Sequence, residues 1–151
     1  MNPSMTNPLR HPSKRVRIGV WANLISALML IGIGVFWLAS PTAASAGAFG
    51  IAPDSEAAVA YAQLTAIFKA IGDIIAPLFA LVALLYRQWH VAGVLNLLTL
   101  VLIPAVDMVV WGVFAGPGSI LMHAPFAIPI AVGAYCLYGQ PADAAPRPAS
   151  S

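Results

Sequence analysis

The stretch EAAVAYAQLTAIFKAIGDIIAPLFALVALLYR, residues 56–87, decides the fold. Between Glu56 and Arg87 it carries only two charges, Lys69 and Asp73. A helix over 57–86 would be about 45 Å long at ~1.5 Å per residue, more than the ~30 Å hydrocarbon core of a bilayer. Ala58, Ala62, Ala66 and Ala70 recur at every fourth position. On a helical wheel, Gln63, Lys69, Ala70 and Asp73 all lie within about 60° of Ala66. The polar groups therefore share the small-residue face, the one on which helices approach each other in lipid. That face should look into a bundle. Lys69 and Asp73 are also one turn apart and placed to pair.

The composition points the same way. Of 151 residues, 60% are hydrophobic and 8% charged, against about 25% charged in an ordinary soluble domain. So little charge cannot cover so apolar an interior in water, and the chain reads as an integral membrane protein. A net charge of +2 gives no reason to expect a nucleic-acid partner. The single cysteine, Cys136, excludes an internal disulfide or a cysteine-based zinc cluster. Within an apolar run it reads as a buried, inert thiol.

Four apolar runs follow one another, at about 18–39, 57–86, 91–115 and 120–138. The fold class is all-α, a four-transmembrane-helix bundle over residues 17–139. A disordered cytoplasmic arm (1–16) precedes it, and a disordered tail (140–151), rich in Pro and Ala, follows. Arg10, Lys14, Arg15 and Arg17 precede the first run, Arg87 separates the second from the third, and Arg147 lies in the tail. The other two connections carry no Lys or Arg. The excess of cations on cytoplasmic loops places both termini on the cytoplasmic side of the cell membrane. A secretory signal with cleavage after Ala46 is the competing reading. The first apolar stretch is longer than the ~7–15 residues of a signal core, which favours a retained helix. Ser40 and Pro41 suit the start of a short interfacial turn, and Asp54 or Ser55 suits the cap of the second span. Trp21, Trp37, Trp89 and Trp111 fall near span ends, as in an interfacial aromatic belt. His90 reads as a solvated loop residue.

The third and fourth runs bring further polar groups to the same level. Asn96, Gly93, Pro104 and Trp111 share a face with Asp107, and Pro104 should kink the helix one turn before it. His123 begins the fourth run. Counting residues from the cytoplasmic ends puts Lys69, Asp73, Asp107 and His123 together in the outer half of the membrane. Two neighbouring carboxylates do not ionise equally. Asp73, Asp107 and His123 are thus candidate acid–base residues, and Lys69, Gln63, Asn96, Tyr61 and Trp111 candidate binding residues.

Ser40-Pro41, Phe49-Gly50, Tyr61, the Lys69–Asp73 stretch, Pro104, Asp107 and His123 together resemble a family of small four-helix membrane proteins of unknown function, broadly DoxX-like (domain-of-unknown-function family 4267). The likeness runs from about Gly32 to Tyr138. It implies a four-helix membrane fold and no particular activity. The family pattern is Lys-Gly-x-Arg-Asp, whereas this chain reads Lys69-Ala70-Ile71-Gly72-Asp73, with Gly72 in place of the arginine.

Several functions fit the cluster. A pocket for a lipophilic small molecule with a polar end would use Asp73 and Asp107 as acid and base, Lys69 to hold one as the anion and His123 to move protons. Acid-catalysed isomerisation or cyclisation would suit such a site. A structural or accessory subunit would use the same groups only to hold helices together. A proton or small-solute path would continue through Asn23, Ser26, Asn96 and Thr99. Metal ligation by Asp73, Asp107 and His123 is opposed by the adjacent lysine, so no metal is expected. No cofactor is implied, and GxGxxG, P-loop, HExxH and GxSxG motifs are absent. The partners implied are the lipid bilayer, a lipophilic small molecule, and a second copy of the chain or a redox protein.

Overall fold

The computed structural model describes residues 12–49, 53–114 and 116–142. Of the expected disordered arm (1–16) and tail (140–151), residues 1–11 and 143–151 lie outside the described residues, as does Gly50, whereas 14–16 are helical and not part of a disordered arm. All regular structure among the described residues is helical.

Helix α1 (Lys14–Ala39) starts earlier than the apolar run suggests. The Ser13 hydroxyl accepts the Val16 amide at 3.2 Å and satisfies one of the orphan donors of the first turn. The helix boundary is therefore set by the cap and not by hydropathy. α1 ends where the Ser40 amide reaches the Phe36 carbonyl at 3.0 Å. Pro41, with its missing N–H harmless at a first helical position, then opens α2 (Pro41–Phe49). The expected short turn is a nine-residue helix. Ser55, not Asp54, caps α3 (Glu56–Leu85), its hydroxyl accepting the Ala58 amide at 3.2 Å.

A tight turn joins α3 to α4 (Trp89–Leu100). Arg87 takes φ 54° there, and the amides of Arg87 and Gln88 return to the carbonyls of Leu84 and Ala83, each at 2.9 Å. These bonds satisfy carbonyls that the helix end leaves open. At Pro104 the third segment passes through a π-helical turn (Val101–Ala105) into α5 (Val106–Phe114). The proline cannot donate to the usual carbonyl, and the chain absorbs the loss in a wider turn. The fourth apolar run is divided, contrary to the single span expected. Gly116 (φ 85°) leads into a 3₁₀ helix (Pro117–Met122), and after His123 comes α6 (Ala124–Leu137). Prolines and glycines over 116–125 break the α pattern. α6, with 14 residues, is about 21 Å long, shorter than the ~30 Å core. Lys14–Ala39, Glu56–Leu85 and Trp89–Val110 are long and apolar enough to cross a membrane.

The main helices close a ring: α1 packs on α3 and α6, and α4 on the same two. The interior is small and polar while the exterior is large and apolar. Ala62, Ala66, Ala70, Ala80 and Ala92 are buried with Asn23, Ser26, Asp73, Asn96 and Thr99. Leu28, Phe68, Leu85, Val113 and Leu121 face outward. A water-soluble protein of this size does not expose so much contiguous apolar surface. The same surface is what lipid requires, and small residues inside let helices pack without a hydrophobic driving force. The alanine stripe of α3 is buried as expected from Ala62 to Ala70. Trp37 and Trp89 depart from the aromatic belt: both are 7% exposed and sit in the packed interior. Trp21 is 65% exposed and can serve as an interfacial residue. Cys136 is buried. His90 lies in the first turn of α4 rather than in a loop. Its Nδ1 accepts the Gly139 amide at 3.0 Å, and its ring lies 5.0 Å from that of Tyr138, pinning the end of α6.

Close approach is tightest where Gly93 of α4 meets the end of α6. A Cβ there would stand 2.8 Å from the Leu137 carbonyl carbon and closer still to the Tyr138 amide. Backbone cannot swing aside as a side chain can, so Gly93→Ala should destabilise the fold by about 1–3 kcal/mol or more. Gly72→Ala meets nothing within 4 Å and should be neutral or stabilising. Thermal unfolding of the two variants in one detergent measures the difference.

Candidate functional site

Lys69 is the centre of the polar cluster. Its ammonium donates to both carboxylate oxygens of Asp73, at 2.7 and 2.8 Å, one helical turn further along α3. It also reaches Asp107 Oδ2 of α5 at 2.9 Å. One cation thus joins two acids and two helices. Asp73 is 1% exposed, whereas the side chains of Lys69 and Asp107 remain about one-fifth exposed. Ala66 and Ala70 permit this arrangement. They pack with Trp37 of α1 and Ala44 of α2, so α1 and α2 close over the face that carries Lys69. Pro77, buried in α3 one turn beyond Asp73, has no amide to offer the Asp73 carbonyl. The sequence reading overlooked this second break, although a proline four residues after an aspartate is a visible signal.

Beside the cluster is a cavity of about 330 Å³. Lys69, Asp107 and His123 contribute its polar lining, and Leu30, Ile33 and Phe36 of α1 form part of its apolar wall. Ala43, Ala44 and Gly47 of α2 complete the enclosure. These small residues leave the space open: a Cβ on Gly47 would meet nothing within 4 Å. The sequence reading gave α2 no part in the site. Its composition, PTAASAGAF, held the only clue, since a wall of Ala and Gly encloses volume without filling it.

The expected site residues do not all come together. Lys69, Asp107 and His123 line one cavity, as their shared depth suggested. Asp73 belongs to the cluster but is not among the residues that line the cavity, and the Lys69 ammonium is bonded to both acids. Gln63 and Tyr61 do not look into the bundle: both are exposed, Tyr61 to 72%. Ala62 between them is buried, so α3 does meet neighbours at this level; Gln63 lies at the edge of the buried face, and Tyr61 lies about 140° round the helix from Ala66, outside that face. The Trp111 side chain lies outside the described part.

Asn96 is buried in a separate polar pair. It accepts from Asn23 Nδ2 at 2.9 Å, a bond that crosses the ring from α4 to α1. The Ser26 hydroxyl donates to the Asn23 carbonyl at 2.9 Å. Gly133 of α6 makes room, since a Cβ there would stand 2.8 Å from Asn96 Nδ2. That nitrogen has no hydrogen-bond partner among the described residues. Among the described residues no group of three or more His, Cys, Asp and Glu is placed to hold a metal ion.

The cavity can take an apolar body along its aliphatic and aromatic walls and a polar end at Asp107 and His123. Gly72, where the resembled family has arginine, is open to a longer side chain but supplies no second cation. The chain matches no family model, no curated protein and no solved structure, so the DoxX-like resemblance rests on its short motifs.

Removing the cation should strand Asp73 as a buried, unpaired acid. Lys69→Met is expected to lose about 3–5 kcal/mol of stability, the usual result of breaking a buried pair from one side. Lys69→Met combined with Asp73→Leu removes the stranded charge and should recover most of it. Unfolding of both variants in detergent measures the two effects.

Proposed function

We propose that the chain is a four-crossing integral protein of the cell membrane that binds a lipophilic small molecule with a polar end. The cavity beside Lys69, Asp107 and His123 carries this reading. Its volume falls within the ~300–1,000 Å³ typical of small-molecule sites, and it combines an apolar lining with a few convergent polar groups. The apolar part of the ligand lies against α1 and α2. Its polar end meets Asp107 and His123, two groups able to give or take a proton. Lys69 holds Asp107 in place and Asp73 holds Lys69. A ligand entering from lipid need not cross water.

In this reading α1 is retained. Cleavage after Ala46 would remove Leu30, Ile33, Phe36, Trp37, Ala43 and Ala44 from the cavity wall. α6 completes the fourth crossing together with the 3₁₀ helix before it, and both termini are cytoplasmic, as the distribution of Lys and Arg requires. The competing reading, a polar cluster that only holds helices together, is favoured by the complete pairing of Asp73 with Lys69. It leaves the small-residue wall of α2 without a purpose.

Two experiments test the proposal. Cysteine at Asp54 or Ser4, in a Cys136→Ala background, reports topology. Asp54→Cys should react with an impermeant maleimide on intact cells and Ser4→Cys should not; the reverse would overturn the orientation. For the ligand, Gly47→Leu fills the cavity from a position with open space around it. Protein purified in mild detergent should retain a small lipophilic molecule detectable by mass spectrometry. Gly47→Leu should lose that molecule at an unchanged melting temperature. Equal retention by both proteins, or none by either, would leave helix cohesion as the function of the cluster.

A further inference from the structure

Toward the start of α1, away from the cavity along the helix, a groove of about 730 Å³ runs between α1 and α6. Ile18, Trp21 and Ile25 form one wall, and Ile128 and Val132 the other. The floor is low because Ala22 and Pro129 occupy it. Both walls are exposed, Trp21 to 65% and Ile128 to 62%. Lys14 and Arg17 stand at one end.

The electrostatics of that end are unfavourable within the protein itself. The start of α1 carries Lys14, Arg15 and Arg17 and no acidic residue in its first turn, although the N-terminus of a helix disfavours cations. Arg15 is engaged elsewhere: its guanidinium donates to the Tyr135 carbonyl at 2.5 Å and lies 4.9 Å from the centre of the Tyr135 ring. Lys14 and Arg17 have no carboxylate partner among the described residues. An anion from outside the described residues would compensate these cations. The dimensions indicate what carries it. From Lys14 to Ile25 is about 16 Å of helix, and one leaflet of a ~30 Å core is about 15 Å deep. The groove therefore has the length of an acyl chain and a cationic end at headgroup level.

We propose that this groove holds an anionic phospholipid of the leaflet on the Lys14 side. Its phosphate sits at Lys14 and Arg17, and one acyl chain lies on Ala22 and Pro129 between Trp21 and Ile128. The ligand cavity at Lys69 has no part in this site, so either can fail without the other.

Trp21 is a built-in reporter. The protein is placed in phosphatidylcholine nanodiscs containing a minor fraction of phosphatidylglycerol with brominated acyl chains, or the same fraction of brominated phosphatidylcholine. The Trp21 signal is the part of the quenching lost in Trp21→Phe. Brominated phosphatidylglycerol should quench it in clear excess over brominated phosphatidylcholine. Lys14→Gln with Arg17→Gln should reduce that preference roughly tenfold or more, since each cation near a membrane surface contributes about a fivefold attraction. Lys14→Arg with Arg17→Lys should keep it. Arg10→Gln with Arg147→Gln, an equal loss of charge elsewhere in the sequence, should also keep it. Equal quenching by the two lipids overturns the site. So does an equal loss in the Arg10/Arg147 control, which would mean diffuse attraction to a basic surface. Protection of Trp21 from both lipids also overturns it and would mean that protein covers the groove.

Discussion

The shared ammonium of Lys69 is the constraint around which its end of the structure is arranged. A charge at the centre of a membrane helix costs about 2.5–3.5 kcal/mol, less toward the interface. Lys69, Asp73 and Asp107 reduce that penalty by meeting at 2.7–2.9 Å. The arrangement is asymmetric. Asp73 is sealed in and uses both oxygens on Lys69, whereas Asp107 gives one oxygen to Lys69 and remains partly open. One acid fixes the cation, and the cation fixes the other acid against the cavity. α5 is thereby tied to α3 just after the π-helical turn, where regular helix bonding is interrupted and a tie is most needed.

The cavity is the second consequence of the same packing. Alanines on α3 bring α1 and α2 close enough to enclose Lys69, and alanines and glycine on α2 stop short of filling the space. Larger residues at Ala43, Ala44 and Gly47 would give a solid core and a purely structural ion pair. Asn23 with Asn96 ties α1 to α4 without any cavity residue taking part, whereas the Lys69–Asp107 tie between α3 and α5 is made by two residues that line the cavity.

Much of this was legible in the sequence because lipid makes its demands residue by residue. The every-fourth alanine stripe of α3 announced its buried face, and depth counting brought Lys69, Asp107 and His123 to one level. What remained hidden depends on irregular backbone. The wheel treats a helix as uniform, and the π-helical turn at Pro104 and the 3₁₀ helix at Pro117–Met122 are not. The division of the fourth run and the shortness of α6 escaped hydropathy for the same reason. Gln63 sits at the edge of the small-residue face, where a wheel cannot tell buried from exposed, and Tyr61 lies outside that face altogether. Trp37 and Trp89 sit near span ends as an aromatic belt would, yet pack inward. Position along the helix was readable for them, while the side facing lipid was settled only by packing. The role of α2 could not be seen at all, since a run of small residues looks the same whether it lines a space or fills one.

The central claim is that Lys69, Asp73 and Asp107 act as one directional unit, with the cation between a sealed acid and an open one. Exchanging the first two, Lys69→Asp with Asp73→Lys, tests it most directly. The exchange keeps charge, composition and the one-turn attraction within α3, and moves the cation about 6 Å along the helix. Asp107 would then face a carboxylate, and the lysine would occupy the sealed position. The account predicts that the exchanged protein melts as early in detergent as one that has lost Lys69 outright, and retains no lipophilic ligand. An exchanged protein as stable as the natural one, with its ligand retained, would contradict it.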